Sequence, residues 1–189
     1  MSEPAKKPAF QIDVFHLDQP LYAVGRSVRV THGTPECFPA IDALWRDFDA
    51  DDVTSAIANK ADPVIPFGIC SDHIAHGGDL IEFNYMRGVL VREYPAEDEL
   101  PQGAICHTIP AGDFARIRVR AKNHDKAIGT AYIELSNWLE SSQEWEAVDG
   151  GYEVYTSCVY NPETRLYDAP RWPKRYEMEK WDRVRPGRK

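Results

Sequence analysis

Hydrophobic and polar positions alternate most clearly between Ala111 and Tyr155. Phe114, Arg116, Arg118 and Arg120 interleave with Ala115, Ile117, Val119 and Ala121, a period of two that predicts a half-buried strand. Asn123 and Asp125 follow with side-chain oxygens suited to capping a helix start. Ile128, Ala131, Tyr132, Leu135, Trp138 and Leu139 then recur at three- and four-residue spacing, which lays them along one helical face. Gly150-Gly151 is expected to reset the backbone before Tyr152 and Val154 resume strand alternation.

The pattern occurs once before. Leu21 to Val30 alternates as a strand, Thr34-Pro35-Glu36 opens a helix with proline in its first turn, and Phe38, Ile41, Trp45 and Phe48 form an apolar stripe. Trp45 and Trp138 are 93 residues apart, and Tyr22 and Phe114 are 92 apart. The repeated period predicts a duplicated strand–helix–strand–strand unit. One domain over residues 10–184 is expected, with repeat one at about 10–93, repeat two at about 104–184, and residues 1–9 and 185–189 as flexible termini. Helix one should run from about Pro35 to Phe48, and Asp49 to Lys60 reads equally as a short helix or a loop. Pro63 to Cys70 reads as a strand, Ser71 to Asp79 as a turn, and Leu80 to Val91 as a strand. Tyr94 to Gly103 is the expected connection between halves, and Tyr176 to Val184 the last strand.

Composition narrows the function classes. A chain of 189 residues at 43% hydrophobic and 28% charged is ordinary for a soluble globular domain. No apolar run reaches the length of a membrane span, and Met1 to Pro8 lacks the apolar core of a signal peptide, so a cytoplasmic location without membrane association is expected. A net charge of −8 disfavours direct nucleic-acid binding and suits the attraction of cations. Cys37, Cys70, Cys106 and Cys158 are scattered, and are expected to be buried or semi-buried thiols. Cys70, His73 and His76 have C-x-x-H-x-x-H spacing, but three local ligands in a glycine-rich turn do not make a metal site, and neither metal nor cofactor is expected.

Aromatic residues are abundant, with five Trp, nine Tyr and seven Phe. Trp45, Tyr132 and Trp138 lie on helical stripes, where packing in a core is the commoner role, whereas Phe83, Tyr85, Tyr152 and Tyr155 lie on strands that could line a cavity. Glu177, Glu179 and Trp181 share one face of the last strand. Carboxylates beside an aromatic ring suit either an organic cation or, when desolvated, general-base catalysis; an ordinary solvated strand face is the plain alternative. The segment from Asn161 to Lys174, with Tyr167 and Trp172, is long for a connection and is expected to fold over the cavity as a cover.

Four stretches carry a resemblance. Phe83 to Val91 reads FNYMRGVLV, Ile109 to Ala115 reads IPAGDFA, the helix from Ala131 to Leu139 carries Tyr132, Leu135 and Trp138, and Tyr152-Glu153-Val154-Tyr155 follows. In order and spacing, over Val14 to Val184, these are similar to the GyrI-like small-molecule-binding domain, also found as the effector-binding domain of AraC-type and MerR-type transcription regulators. The resemblance implies an α+β fold of two strand–helix–strand–strand repeats with pseudo-twofold symmetry, an antiparallel sheet and two principal helices. It also implies a pocket between the repeats for amphipathic, often cationic or aromatic, organic molecules, as in a sensor or a drug-sequestering module. A glutamate on the final strand faces the ligand in this family, which points to Glu179, with Glu177 in the competing register. Trp181, Tyr155, Tyr85, Phe83, Trp45, Tyr132, Trp138 and Trp172 complete the candidate ligand-binding set. Lys180, Asp182 and Arg183 stand where the family carries apolar residues. Two other functions follow from the same resemblance: hydrolysis of reactive cyclopropane-bearing compounds by Glu179 or Glu177, and a protein-binding role such as modulation of DNA gyrase. No DNA-binding segment fits before Phe10, so a stand-alone member is expected; its oligomeric state is not legible.

Overall fold

The computed structural model describes residues 10–168 and 176–187. Its strands are β1 (Phe10–Leu17), β2 (Leu21–His32), β3 (Pro66–Ala75), β4 (Ile81–Val91), β5 (Ile105–Ile109), β6 (Gly112–Ala121), β7 (Trp145–Val154), β8 (Val159–Asn161), β9 (Leu166–Asp168) and β10 (Tyr176–Pro186). The helices are α1 (Cys37–Ala50), the one-turn α2 (Val53–Ala56) and α3 (His124–Ser141). Eight strands form one antiparallel sheet in the order β1-β6-β10-β7-β3-β4-β2-β5, and β8 and β9 make a separate hairpin.

The sheet order reads the same from either end. β5-β2-β4-β3 mirrors β1-β6-β10-β7, and the two halves join where β3 pairs with β7. The fold is α+β, with two similar halves and two principal helices. The halves exchange their edges: β1 precedes β2 in the chain but pairs with β6, while β5 precedes β6 but pairs with β2. The chain makes each exchange through a short corner, Leu17–Leu21 and Ile109–Gly112.

The alternation along β6 decides which side the helices take. Ala115, Ile117, Val119 and Ala121 meet Ala127, Ala131 and Leu135 of α3 in one core, and Arg116, Arg118 and Arg120 point the other way. The Asn123 side chain accepts the backbone N–H of Lys126 at 3.0 Å, the helix cap its position predicts. In the first half, α1 seats Phe48 on Val24, Val89 and Val91, and Cys37 on Val30 and Tyr85. On the other side of the sheet, Phe67, Ile69, Phe114, Tyr152 and Val154 form a second core with Phe15 and Trp181 packed against it. Each helix covers the outer strands of its own half, so β3 and β7 floor a valley between α1 and α3.

Some boundaries differ from the pattern-based reading. Helix one begins at Cys37, not Pro35, and the ambiguous stretch after it contains the short α2. Ser71 to Asp79 is not all turn, because β3 continues to Ala75 past an irregularity between Ser71 and Ile74, where Asp72 takes φ 55. Gly150-Gly151 does not end one strand and begin another. β7 starts at Trp145 and runs through both glycines; Gly150 at φ 113 absorbs a bulge opposite Asp182–Val184.

Of the segment Asn161–Lys174 expected to cover the cavity, residues 169–174 lie outside the described residues, and the described part lies elsewhere. Its β8–β9 hairpin docks onto α2 rather than spanning the valley: the Tyr160 hydroxyl donates to Asp52 at 3.0 Å, and Tyr167 pairs with the Thr54 hydroxyl at 2.8 Å. Tyr167 also lies 4.6 Å from the guanidinium of Arg87, which is fully buried and stands over Trp45 and Phe48 as well. Polar anchors on α2 and the Arg87 cation hold the hairpin there.

Candidate functional site

The valley holds a buried carboxylate. Tyr152 and Val154 of β7 enter the second core, so Glu153 between them points to the helix side, where it is 4% exposed. Three phenols donate to it: Tyr85 from β4 at 2.7 Å, Tyr132 from α3 at 2.6 Å, and Tyr155 at 2.5 Å. Trp45 of α1 donates its indole N–H to the Tyr85 oxygen at 3.1 Å. Both helices and both halves of the sheet therefore converge on one acidic group.

Gly68 makes the room. It sits directly opposite Glu153 in the β3–β7 pairing, and a Cβ there would lie 2.3 Å from the Glu153 carboxylate and 2.4 Å from the Tyr85 hydroxyl. A side chain at position 68 would displace the carboxylate or the Tyr85 hydroxyl that donates to it. Burial, reinforced by the Glu153 charge, raises the phenols of Tyr85 and Tyr155 well above the usual tyrosine range, and Tyr132 is raised by burial with the Cys70 and Glu153 charges adding to it. They stay protonated and serve as donors. Hydrogen bonds to a charged acceptor are worth about 1.5–3 kcal/mol each, and three of them offset part of the cost of burying the carboxylate. Among the described residues, no cationic side chain forms an ion pair with Glu153. The site carries a negative charge satisfied by hydrogen bonds but not neutralised.

Beside this cage opens a cleft of about 780 Å³. Its floor is Cys70, Gly150, Gly151, Lys180 and Asp182; Tyr132 and Ser136 of α3 form one wall, and Phe83 and Ile81 of β4 the other. Tyr132 is 39% exposed although its hydroxyl is bonded to Glu153, so its ring is the partition between cleft and carboxylate. Lys180 ion-pairs with Asp182 and stands 4.6 Å over the Tyr132 ring. At the mouth, His73 pairs with Asp149 at 2.5 Å and stacks on Phe83. Burial raises the Cys70 thiol, and that group is a poor nucleophile here.

The residues singled out from sequence fall into three groups. Tyr85, Tyr132, Tyr155 and Trp45 meet at Glu153, and Phe83 lines the cleft. Glu179, Glu177 and Trp181 lie on the sheet face away from the helices. Glu179 accepts from Arg118 at 3.0 Å and from the Trp181 indole at 2.8 Å, and Glu177 is 2.5 Å from Arg120. The Trp181 ring packs on Phe15, Phe67 and Phe114 in the second core. Asp13 bridges Arg116 and Arg118 in the same lattice, and the Arg116 hydrogen bond holds its carboxyl below the usual value. Trp138 packs against the α3 core, and Trp172 falls outside the described residues.

Glu153 is hidden in the sequence by its aromatic neighbours, Tyr152 and Tyr155, which dominate the motif. Two signals marked it: it is a lone carboxylate between Tyr152 and Val154, and the arginine stripe of β6 supplies partners for Glu177 and Glu179 but none for position 153.

A mirrored antiparallel sheet with one principal helix per half is the architecture of a GyrI-like effector-binding domain. The chain belongs to the Cass2 family of integron-associated effector binding proteins, whose family model matches residues 19–169. Among solved structures it is similar to an integron cassette protein from the mobile metagenome of Vibrio cholerae, with a TM-score of 0.62 at 14% identity over 93% of this chain and 97% of that one. SAV2435, solved with tetraphenylphosphonium bound, also gives a TM-score of 0.62, at 16% identity over 93% of this chain and 94% of that one. A bacterial transcription regulation protein from Staphylococcus aureus, described as putative, gives 0.61 at 14% identity over 93% and 97%. At these identities the likeness is one of fold. No curated protein matches the chain in sequence. No helix among the described residues is long and apolar enough to cross a membrane.

Proposed function

We propose that this protein is a receptor for small amphipathic organic molecules that combine aromatic bulk with a cationic group, bound in the cleft with Glu153 as the charge partner. The carrying observation is the Glu153 carboxylate, without an ion-pair partner among the described residues and held by Tyr85, Tyr132 and Tyr155, next to an open cleft from which only the Tyr132 ring divides it. Rotation of the Tyr132 ring would open a path from cleft to carboxylate, and the rings around it would stack on a flat cation. The family's effector-binding character and the tetraphenylphosphonium complex of SAV2435 support this reading. Such a molecule would be sensed or sequestered rather than converted.

The test is a calorimetric titration with matched cationic, neutral and anionic aromatic compounds on wild type and Glu153→Gln. The variant keeps the shape and loses the charge. Cation-bearing ligands are expected to weaken by about 1–3 kcal/mol and neutral ones by less. Equal isotherms for the two proteins would remove Glu153 from the site.

A further inference from the structure

Cation recognition through Glu153 does not account for Lys180. Lys180 is paired directly opposite Glu153 across β10 and β7, and both side chains face the valley. Its ammonium bonds to Asp182, stands 4.6 Å from the centroid of the Tyr132 ring, and belongs to the floor of the open cleft. Its side chain is 7% exposed and that of Asp182 19%. The aromatic face that a bound organic cation would use already carries the chain's own ammonium.

We propose that Lys180 is the specificity-determining residue of the cleft, and that the ligand is a zwitterion: a flat aromatic body with a cationic centre for Glu153 and a carboxylate, or an equivalent anion, for Lys180. This rests on the reading of Glu153 as the cation partner. A simple cation entering the cleft meets Lys180 as a like charge at close range and in a partly desolvated place. An anionic group on the same molecule removes that repulsion. An ammonium has three N–H donors, and Asp182 takes one of them, so a ligand carboxylate can bond to Lys180 without breaking the ion pair. The backbone there is open on the cleft side, because Gly151, directly opposite Asp182, contributes no side chain.

Rhodamine 110 and its methyl ester rhodamine 123 share one xanthylium cation and differ in whether a free carboxylate is present. Fluorescence polarisation with wild type is expected to give about tenfold tighter binding of rhodamine 110. In Lys180→Met, rhodamine 110 should weaken by about tenfold while rhodamine 123 gains, and the preference should vanish; Lys180→Gln serves the same purpose if the methionine variant does not fold by circular dichroism. Equal affinity of the two dyes for wild type, or an equal shift of both in the Lys180 variants, would overturn the inference. Glu153→Gln separates it from the reading beneath. Loss of both dyes in that variant upholds the glutamate as cation partner. No change there, with selectivity still lost in Lys180→Met, removes the glutamate and keeps Lys180. Failure of both dyes to bind any of these proteins overturns both.

Discussion

Replacing Gly68 with alanine tests the physical basis of the site most directly. The added Cβ would lie 2.3 Å from a Glu153 oxygen, 2.4 Å from the Tyr85 hydroxyl and 3.1 Å from the Glu153 carboxyl carbon. Contacts that short are not tolerated, so the carboxylate or the phenol must move. Overpacking of a filled interior costs about 1–3 kcal/mol. Displacing Glu153 from even one of its three donors adds about 1.5–3 kcal/mol, since the bond is to a charged acceptor. Some relaxation through the cleft reduces the sum, and a loss of roughly 2–4 kcal/mol is expected. For a chain of this size that lowers Tm by roughly 4–16 °C.

Urea unfolding followed by tryptophan fluorescence would measure it. Two comparisons give the result its meaning. Gly129→Ala in α3, where nothing lies within 4 Å of the added Cβ, should instead stabilise by about 0.5–1 kcal/mol through helix propensity. In a double-mutant cycle, Gly68→Ala combined with Glu153→Ala should cost at least about 1 kcal/mol less than the two single losses added together, because the truncated side chain vacates the space. A Gly68→Ala protein within 0.5 kcal/mol of wild type, or strict additivity with Glu153→Ala, would refute the claim that glycine is there to admit the carboxylate.

Two further outcomes follow from charges buried away from the cleft. Arg87→Ala should cost about 3–5 kcal/mol in the same assay, because Arg87 is fully buried among Trp45, Phe48 and Tyr167 and its removal leaves a void. Burial lowers the His107 imidazole below its usual value, so the unfolded chain binds the proton first, and stability contributed by neutral His107 should be full above about pH 6.5 and decline as pH falls through its lower folded value. Unfolding free energies measured from pH 8 to 5 should show a shallower acid decline in His107→Gln, and an unchanged slope would dismiss the assignment.

Local pattern determined a good deal of this protein. The alternation Phe114–Ala121, the Asn123 cap and the stripe Ile128–Leu139 specify β6 and α3 through contacts within a few residues, and the strand and helix form where those rules place them. The near-constant spacing from Tyr22 to Phe114 and from Trp45 to Trp138 carried the duplication, and the quoted motifs carried the family. Tyr85, Tyr132, Tyr155 and Trp45 were legible as ligand-site candidates from their aromatic character and the resemblance, but not as donors to one group.

Register and pairing settled the rest, and neither is a local property. Glu177, Glu179 and Trp181 share a strand face, as alternation requires, but which side of the sheet that face occupies depends on how β10 pairs with β6. The observed pairing sets Glu177 against Arg120 and Glu179 against Arg118, and ion pairs hold both carboxylates on the far side. The pairing of β3 with β7 sets Gly68 against Glu153 across 85 residues of chain, and that coincidence of a missing side chain and a carboxylate creates the cage. A one-residue slip would turn Glu153 into the apolar core and bring Tyr152 or Val154 to the valley. The acidic site exists because long-range strand register, enforced by two hydrophobic cores on opposite faces of one sheet, leaves it no other position.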